Sequence, residues 1–431
     1  MKVYFHTLGC KVNQYETQAM REIFEKTGYD LSENDATSDV IVINSCSVTS
    51  ESDRKTRQLL RKCRKTNPDA VIVLTGCMVQ AFPELSGKLS EADIVTGNKN
   101  ISKIIEYVNE YLISKQRITA FEKHFSGDPF NTPEISDFEE RTRAFMKIED
   151  GCDRFCSYCI IPYARGRVRS KSLKKIKSEA QHLADNGFSE IVLVGINLSA
   201  YGKNEDFNIC DAVETLNKIG EIKRIRLGSL EPDHITDEML ERLKNIKKFC
   251  PQFHLSLQSG CDRTLLRMNR KYDTAFYRDL VNRIRQIFPD CSITTDIMVG
   301  FAGETEDEFN ESLDFVKSIG FARAHIFPYS RRSGTLADGF PNQQTNAVKS
   351  HRAKLMSDVV KESERNYIVS QIGKEKPVLF EAPEKGYAVG YTEDYIRVKI
   401  KTERNLTRQI LPVKLTEPFD DFCIGEITRD F

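Results

Sequence analysis

The chain lacks an excess of charge of either sign: among 431 residues, 63 Lys plus Arg are balanced by 63 Asp plus Glu. That balance argues against a uniformly basic nucleic-acid binder. It leaves local basic runs to meet phosphate, such as Arg61-Lys62-Cys63-Arg64-Lys65, Arg165-Gly166-Arg167-Val168-Arg169 and Lys174-Lys175-Ile176-Lys177. No stretch is apolar for long enough to span a bilayer, and the opening MKVYFHTLGC has no apolar signal core. No membrane partner and a cytoplasmic location are therefore expected. In that compartment the twelve cysteines read as metal ligands or buried thiols, which excludes a disulfide framework. Internal repeats and low-complexity tracts are also missing.

The most informative absence is a fourth cysteine. Gly151-Cys152-Asp153-Arg154-Phe155-Cys156-Ser157-Tyr158-Cys159 has C-x3-C-x2-C spacing, with no second C-x2-C or Cys/His pair nearby to complete it. A closed zinc or iron–sulfur site normally takes four protein ligands. Three thiolates in one loop can hold three irons of a cubane cluster and leave the fourth iron open to a small molecule, beside the aromatic Tyr158. The competing readings are three clustered core cysteines or an incomplete zinc ribbon.

A chain of this length predicts two to four domains. Short apolar runs at 3–5, 40–43 and 71–74 alternate with helical patterns at 16–26 and 53–65, which predicts a parallel sheet covered on both faces over 1–113. The segment 114–140 is polar and proline-containing and reads as a linker. Over 141–370 six apolar strands are expected, at 145–148, 191–194, 225–227, 253–257, 293–298 and 324–327, with helices between them; this is a partial (β/α)6 barrel. A long helix at 346–370 ends the series. Residues 371–431 read as a small all-β domain, with strands at 378–381, 387–391, 395–401 and 408–414. The fold class is thus α/β with a small β domain at its end.

In the first domain, Cys10, Cys46 and Cys77 each follow a predicted strand, in Gly9-Cys10, Ser45-Cys46 and Gly76-Cys77. Ligands of open α/β sheets bind at that carboxyl edge. The trio reads equally well as a second open cluster or as three small core residues. Cys63, Cys210, Cys250, Cys261, Cys291 and Cys423 read as isolated buried thiols.

The ordered set of motifs resembles the methylthiotransferase family of radical S-adenosylmethionine (SAM) enzymes over nearly the whole chain. They include TLGCKVNQYET (7–17), INSCSVT (43–49), TGCMVQ (75–80), GCDRFCSYCIIPYARGRVRS (151–170), LVGINLSAYG (193–202), HLSLQSGCDRTLLRMNRKY (254–272), TTDIMVGFAGETEDEF (294–309) and FPYSRRSGT (327–335). The resemblance implies a methylthiotransferase N-terminal domain, a radical SAM core and a C-terminal TRAM RNA-binding domain. It implies two [4Fe–4S] clusters, one on Cys152, Cys156 and Cys159, the other on Cys10, Cys46 and Cys77, with SAM on the open iron of the first. The opening GCKVNQYET is similar to the branch acting on threonylcarbamoyladenosine in transfer RNA. The alternatives are the branches acting on isopentenyladenosine or on a ribosomal protein side chain. The expected partners are tRNA, met at its anticodon loop, and an electron donor such as flavodoxin or ferredoxin.

In such a barrel SAM lies across the carboxyl ends of the strands. Candidate contacts are Tyr158, Gly195, Asn197, Ser229, Glu231, Gln258, Ser259 and Asp296, each with a loop or capping role as the alternative. Arg165, Arg167 and Arg169 are expected either to meet phosphate or carboxylate or to form a solvated face. Lys11, Asn13 and Gln14 are expected to line the site of a polar N6 substituent. In the tail, Tyr387, Tyr391 and Tyr395, interleaved with Lys399, Lys401, Arg404 and Arg408, are expected to stack on unpaired bases or to pack in the core.

Overall fold

A computed structural model describes residues 1–138 and 141–429. The N-terminal domain is a six-stranded, wholly parallel sheet of β1 (Lys2–Thr7), β2 (Asp30–Leu31), β3 (Val40–Ser45), β4 (Val71–Gly76), β5 (Ile94–Thr96) and β6 (Ile118–Ala120), in the order β2-β1-β3-β4-β5-β6. β3 and β4 are buried along their whole length, as continuous apolar strands covered on both faces must be. Alternate residues go to opposite faces. Val40, Val42, Val71 and Val73 pack with Met20 and Phe24 of α1 (Lys11–Lys26), while Ile41, Ile43, Ile72 and Leu74 pack with Leu60 and Cys63 of α2 (Ser50–Thr66). Thr49 caps α2 by accepting from the Ser52 N–H.

The segment read as a linker packs against its neighbours. Its beginning supplies β6, and further on Tyr15 Oη donates to the Pro133 carbonyl (2.9 Å) while Glu22 accepts from the N–H of Ser136 (2.6 Å). Its last two residues, 139 and 140, lie outside the described residues.

The central domain carries β7 (Ala144–Lys147), β10 (Glu190–Val194), β11 (Arg224–Leu227), β12 (Ser229–Leu230), β13 (Gln252–Leu255), β14 (Ser292–Val299) and β15 (Arg323–Pro328). All ladders among them are parallel. β11 and β12 form one strand interrupted at Gly228, so that β11 pairs with β10 and β12 pairs with β13. Six strand positions therefore follow one another, and no ladder joins β15 back to β7 among the described residues. Between β7 and β10, the short antiparallel pair β8 (Glu149–Asp150) and β9 (Arg169–Ser170) pinches off the loop that carries Cys152, Cys156 and Cys159. α3 (Cys77–Ala81) and α5 (Ile161–Arg165) complete the elements around the cysteines, while α4 (Ile104–Ser114) packs with α1 on the N-terminal sheet.

The helix Asn346–Gln371 leads into a closed barrel of β16 (Glu375–Phe380), β17 (Tyr387–Thr392), β18 (Arg397–Lys401), β19 (Ile410–Pro418) and β20 (Cys423–Ile427). The sequence reading predicts four of these strands and misses β20. This barrel docks on the central domain through Arg224, which donates to Tyr391 O (2.9 Å) and Pro377 O (2.5 Å), and Arg226, which donates to Glu393 O (2.7 Å). Buried Glu190 takes both guanidiniums. Burial would raise its pKa, but Arg226, Arg143 and Arg224 hold it at about 2.

Candidate active site

Cys10, Cys46 and Cys77 follow β1, β3 and β4, so the parallel sheet delivers all three to one edge. Gly9 has φ +106°, and a Cβ there would fall 2.7 Å from Cys46 Cβ and 2.9 Å from its Sγ; only glycine lets the Cys10 turn approach Cys46 this closely. Asn13 Oδ1 lies 3.9 Å from Cys10 Sγ and 4.0 Å from Cys77 Sγ. The trio therefore gathers about Asn13 at the sheet edge. Cys10 is exposed, and Cys46 and Cys77 are buried.

Cys152, Cys156 and Cys159 are all half-buried in the loop closed by β8 and β9. The loop turns on Gly151 (φ +90°), where a Cβ would sit 2.0 Å from Arg167 O. Burial pushes the thiols of Cys77 and Cys152 up to about 12. It also pushes the Cys159 thiol well above its ordinary range. Unaided, these groups are not thiolates at neutral pH. Burial disfavours the free thiolates of Cys77, Cys152 and Cys159, and a bound cation offsets that cost, so each trio is a donor set suited to iron.

A buried ion network joins the two trios. Arg165, at the end of α5, is fully buried; its Nε lies 3.2 Å from Cys77 Sγ, and its Nη2 donates to Asn13 Oδ1 (2.8 Å) and Glu16 Oε2 (2.9 Å). Lys147 bridges Glu16 (2.7 Å) and Asp150 (2.8 Å), and Arg169 pairs with Asp150 at 3.0 Å. Three cations face two carboxylates, and Arg165 directs the surplus positive charge at the Cys77 sulfur. Arg165 and Arg169 thus meet the protein's own carboxylates and form no solvated face. Arg167 alone of the three is open to solvent, over the Phe155 ring at 4.8 Å. On the other trio, Arg270 Nη1 approaches Cys156 Sγ (3.3 Å) and Tyr158 Oη (3.5 Å), and its Nη2 pairs with Glu231.

A cavity of about 570 Å³ runs from Cys10 and Lys11 past Gly195 and Ser229 to Asp296, Arg323 and Tyr395. Of the residues expected to contact SAM, Gly195, Ser229 and Asp296 line it. Gly195 is also required by Glu149, whose Oε2 would lie 2.6 Å from an added Cβ. Asp296 pairs with His254 Nε2 at 3.2 Å; burial works to raise its pKa, and His254, with His325 and Lys11 behind, brings it below the usual value. Glu231 is held by Arg270 and Arg154, beside the half-buried Tyr158. Asn197 lines a neighbouring cavity of about 450 Å³ and donates its N–H to Glu149 (2.7 Å). Gln258 adopts φ +69° and exchanges backbone hydrogen bonds with β14. Ser259 is fully buried, and its hydroxyl accepts from the Cys261 N–H within its own turn.

Of the three polar residues expected around the N6 substituent, only Lys11 faces the cavity. Asn13 is buried, donating to Leu8 O and Ser45 O, and Gln14 accepts from Arg141. Two of the tail tyrosines take the packing alternative: Tyr391 and Tyr395 stack on each other (4.9 Å) under Arg143, and Tyr395 lines the cavity. The sequence reading misses His254, Arg270, Arg323 and His325 as site residues. Each sits in or beside a quoted motif, but only the barrel turns them toward the strand ends.

A model described as "Radical SAM superfamily" matches residues 146–316, and one described as "Uncharacterized protein family UPF0004" matches residues 2–97. Among solved structures, the fold is similar to the radical S-adenosylmethionine methyltransferase TsrM from Kitasatospora setae. The TM-score is 0.56 at 14% identity, over 78% of this chain and 76% of that one, a likeness of fold alone. With its parallel partial barrel and three-cysteine loop, the chain is a radical SAM enzyme. It is 37% identical, over 99% of its length and 96% of the relative's, to the threonylcarbamoyladenosine tRNA methylthiotransferase MtaB of Bacillus subtilis (strain 168). It is 33% identical to the tRNA-2-methylthio-N(6)-dimethylallyladenosine synthase of Thermoanaerobacter sp. (strain X514), over 96% of this chain and 90% of that one. Within the radical SAM enzymes, the chain belongs to the methylthiotransferase family.

Proposed function

We propose that this protein adds a methylthio group to carbon 2 of threonylcarbamoyladenosine at position 37 of tRNA, in the cytoplasm, with electrons from a donor such as flavodoxin or ferredoxin. The observation that carries the reading is the pair of three-cysteine sites fixed in one frame by Arg165. A cavity leads from Cys10 to the strand ends beside the second site. The C2–H bond of an adenine is aromatic and not acidic, so acid–base catalysis by side chains does not reach it. Two [4Fe–4S] clusters and SAM, when bound on these residues, supply the radical chemistry and the sulfur.

The chain's own residues bind, orient and shield. Cys152, Cys156 and Cys159 would hold one cluster, and Cys10, Cys46 and Cys77 the other. Arg270 and Arg165 each present a buried cation to a ligand sulfur, which favours the ionised thiol. Gly195, Ser229 and Asp296 would receive SAM, with Tyr158 packed beside it. The substrate base seated in the cavity would exclude water from the reactive site. Lys11, exposed on the cavity wall with no carboxylate of the described residues paired to it, favours a substituent that bears a negative charge.

The test is anaerobic incubation of the reconstituted enzyme with SAM, a reductant and tRNA carrying either threonylcarbamoyl- or isopentenyladenosine, followed by nucleoside mass spectrometry. The methylthio product is expected from the first substrate. Preferential turnover of the isopentenyl substrate would overturn the choice of substrate and leave the radical chemistry in place.

A further inference from the structure

Lys11 lies on the cavity wall, and no carboxylate of the described residues pairs with its ammonium; the Phe145 ring lies 5.7 Å away, and Asp296 on the same cavity acts on it without pairing. Arg323, on the same cavity, has only a loose pairing with Glu364, at 3.9 Å. The cavity's own carboxylate, Asp296, is already engaged by His254. The lining therefore carries uncompensated positive charge on two walls.

The third wall comes from the C-terminal barrel. Tyr395 lies between the guanidiniums of Arg143 (5.0 Å) and Arg226 (4.7 Å) and adopts φ +71°, a left-handed conformation that a bulky residue takes only where its surroundings impose it. Burial would raise the pKa of its phenol. Arg143, Lys11 and Arg226 instead bring it below the usual value, so these three cations set the potential near its oxygen. A carboxylate placed there feels the same potential. An apolar substituent would leave Lys11 desolvated with nothing to bind.

We propose that Lys11, Arg323 and Tyr395, one residue from each of the three domains, form a receptor for the carboxylate on the N6 substituent of the substrate base. This rests on threonylcarbamoyladenosine being the substrate. It makes the C-terminal barrel part of the substrate site as well as a surface for RNA. Tyr395 serves as a positioning wall, with its hydroxyl available to donate to the carboxylate.

The experiment measures binding of the holoenzyme, without SAM, to anticodon stem-loops that differ only at position 37: threonylcarbamoyladenosine, isopentenyladenosine or plain adenosine. Wild type is expected to bind the first at least about tenfold more tightly than the other two, the scale of one charge-assisted hydrogen bond. Lys11→Met should remove most of that preference and Lys11→Arg should restore part of it. Arg323→Met and Tyr395→Phe should each reduce it a few-fold while affinity for the plain stem-loop stays the same. Tyr395→Phe keeps the ring in its stack, and iron content shows that Lys11→Met leaves the adjacent Cys10 site loaded. A wild-type preference that survives all of these variants would overturn the receptor and leave the substrate assignment standing. A wild-type preference for the isopentenyl stem-loop would overturn both.

Discussion

The two cysteine trios each gather three thiols, by different constructions. Cys152, Cys156 and Cys159 come from a single loop pinched by β8 and β9, so their grouping is a property of eight consecutive residues. Cys10, Cys46 and Cys77 come from three loops of a parallel sheet, and their grouping exists only when β1, β3 and β4 are side by side. Their surroundings differ in the same sense. Cys77 is buried against Arg165, whose carboxylate partners lie in α1 and β8, whereas Cys156 is half-buried against Arg270, whose partner Glu231 also has Arg154. A local site tolerates loosening of the fold; a topological one does not.

The largest expected effect separates the trios outright. Changing Cys152, Cys156 and Cys159 together to Ala should leave one cluster in the anaerobically reconstituted protein and abolish SAM cleavage. The matching change at Cys10, Cys46 and Cys77 should also leave one cluster but retain SAM cleavage without product formation. Iron content and deoxyadenosine release measure both. Two clusters persisting in either triple variant would break the comparison.

The contrast between the trios also explains what was legible in the sequence. The C-x3-C-x2-C spacing is visible without any fold, because the loop is its own scaffold. The other trio could be placed only at strand ends, and a cluster there was no better supported than core packing until the family motifs were considered. The alternation of strands and helices was readable because fully buried strands such as β3 and β4 are continuous apolar runs. β20 was missed because Cys423–Ile427 contains a glycine and a glutamate and no long apolar run. Arg165 was ambiguous for a different reason. An arginine in a basic run gives no sign of its burial until Glu16, 149 positions away, is seen to meet it. Tyr395 was left between RNA stacking and core packing because nothing local reveals that Arg143 and Arg226 enclose it.

An intermediate effect comes from the two arginines. Arg165→Met leaves Glu16 and Asp150 buried with less compensation, a loss of about 3–5 kcal/mol for a broken buried pair. It should destabilise the whole chain and lower the iron bound by the Cys10 trio. Arg270→Met leaves Glu231 with Arg154, so its effect should stay local. Removing a cation from beside a cluster disfavours the more negative, reduced state. The potential of the Cys152 cluster should therefore move to more negative values in Arg270→Met, with little change in melting temperature. Equal destabilisation by the two variants would erase the distinction between a local and a topological site.

The smallest expected effect is at Cys63, which tests whether only converging cysteines matter. Cys63 is fully buried in α2 against Leu60 and Ile72, on the far side of the sheet from α1. Its thiol approaches Asp35 Oδ2 at 3.9 Å, and burial together with that carboxylate pushes its pKa up to about 11. It is a neutral thiol with no other cysteine beside it in its core cluster. Replacing it by Ala removes one sulfur from a packed core, so a loss of about 1 kcal/mol is expected from the small cavity left behind. Iron content and methylthio transfer should be unchanged. His6 and Asp35 lie close enough to offer Cys63 company as metal ligands, which gives the control its force. If Cys63→Ala lowered the iron bound per chain, metal binding would not be confined to the two trios, and the comparison between them would lose its basis.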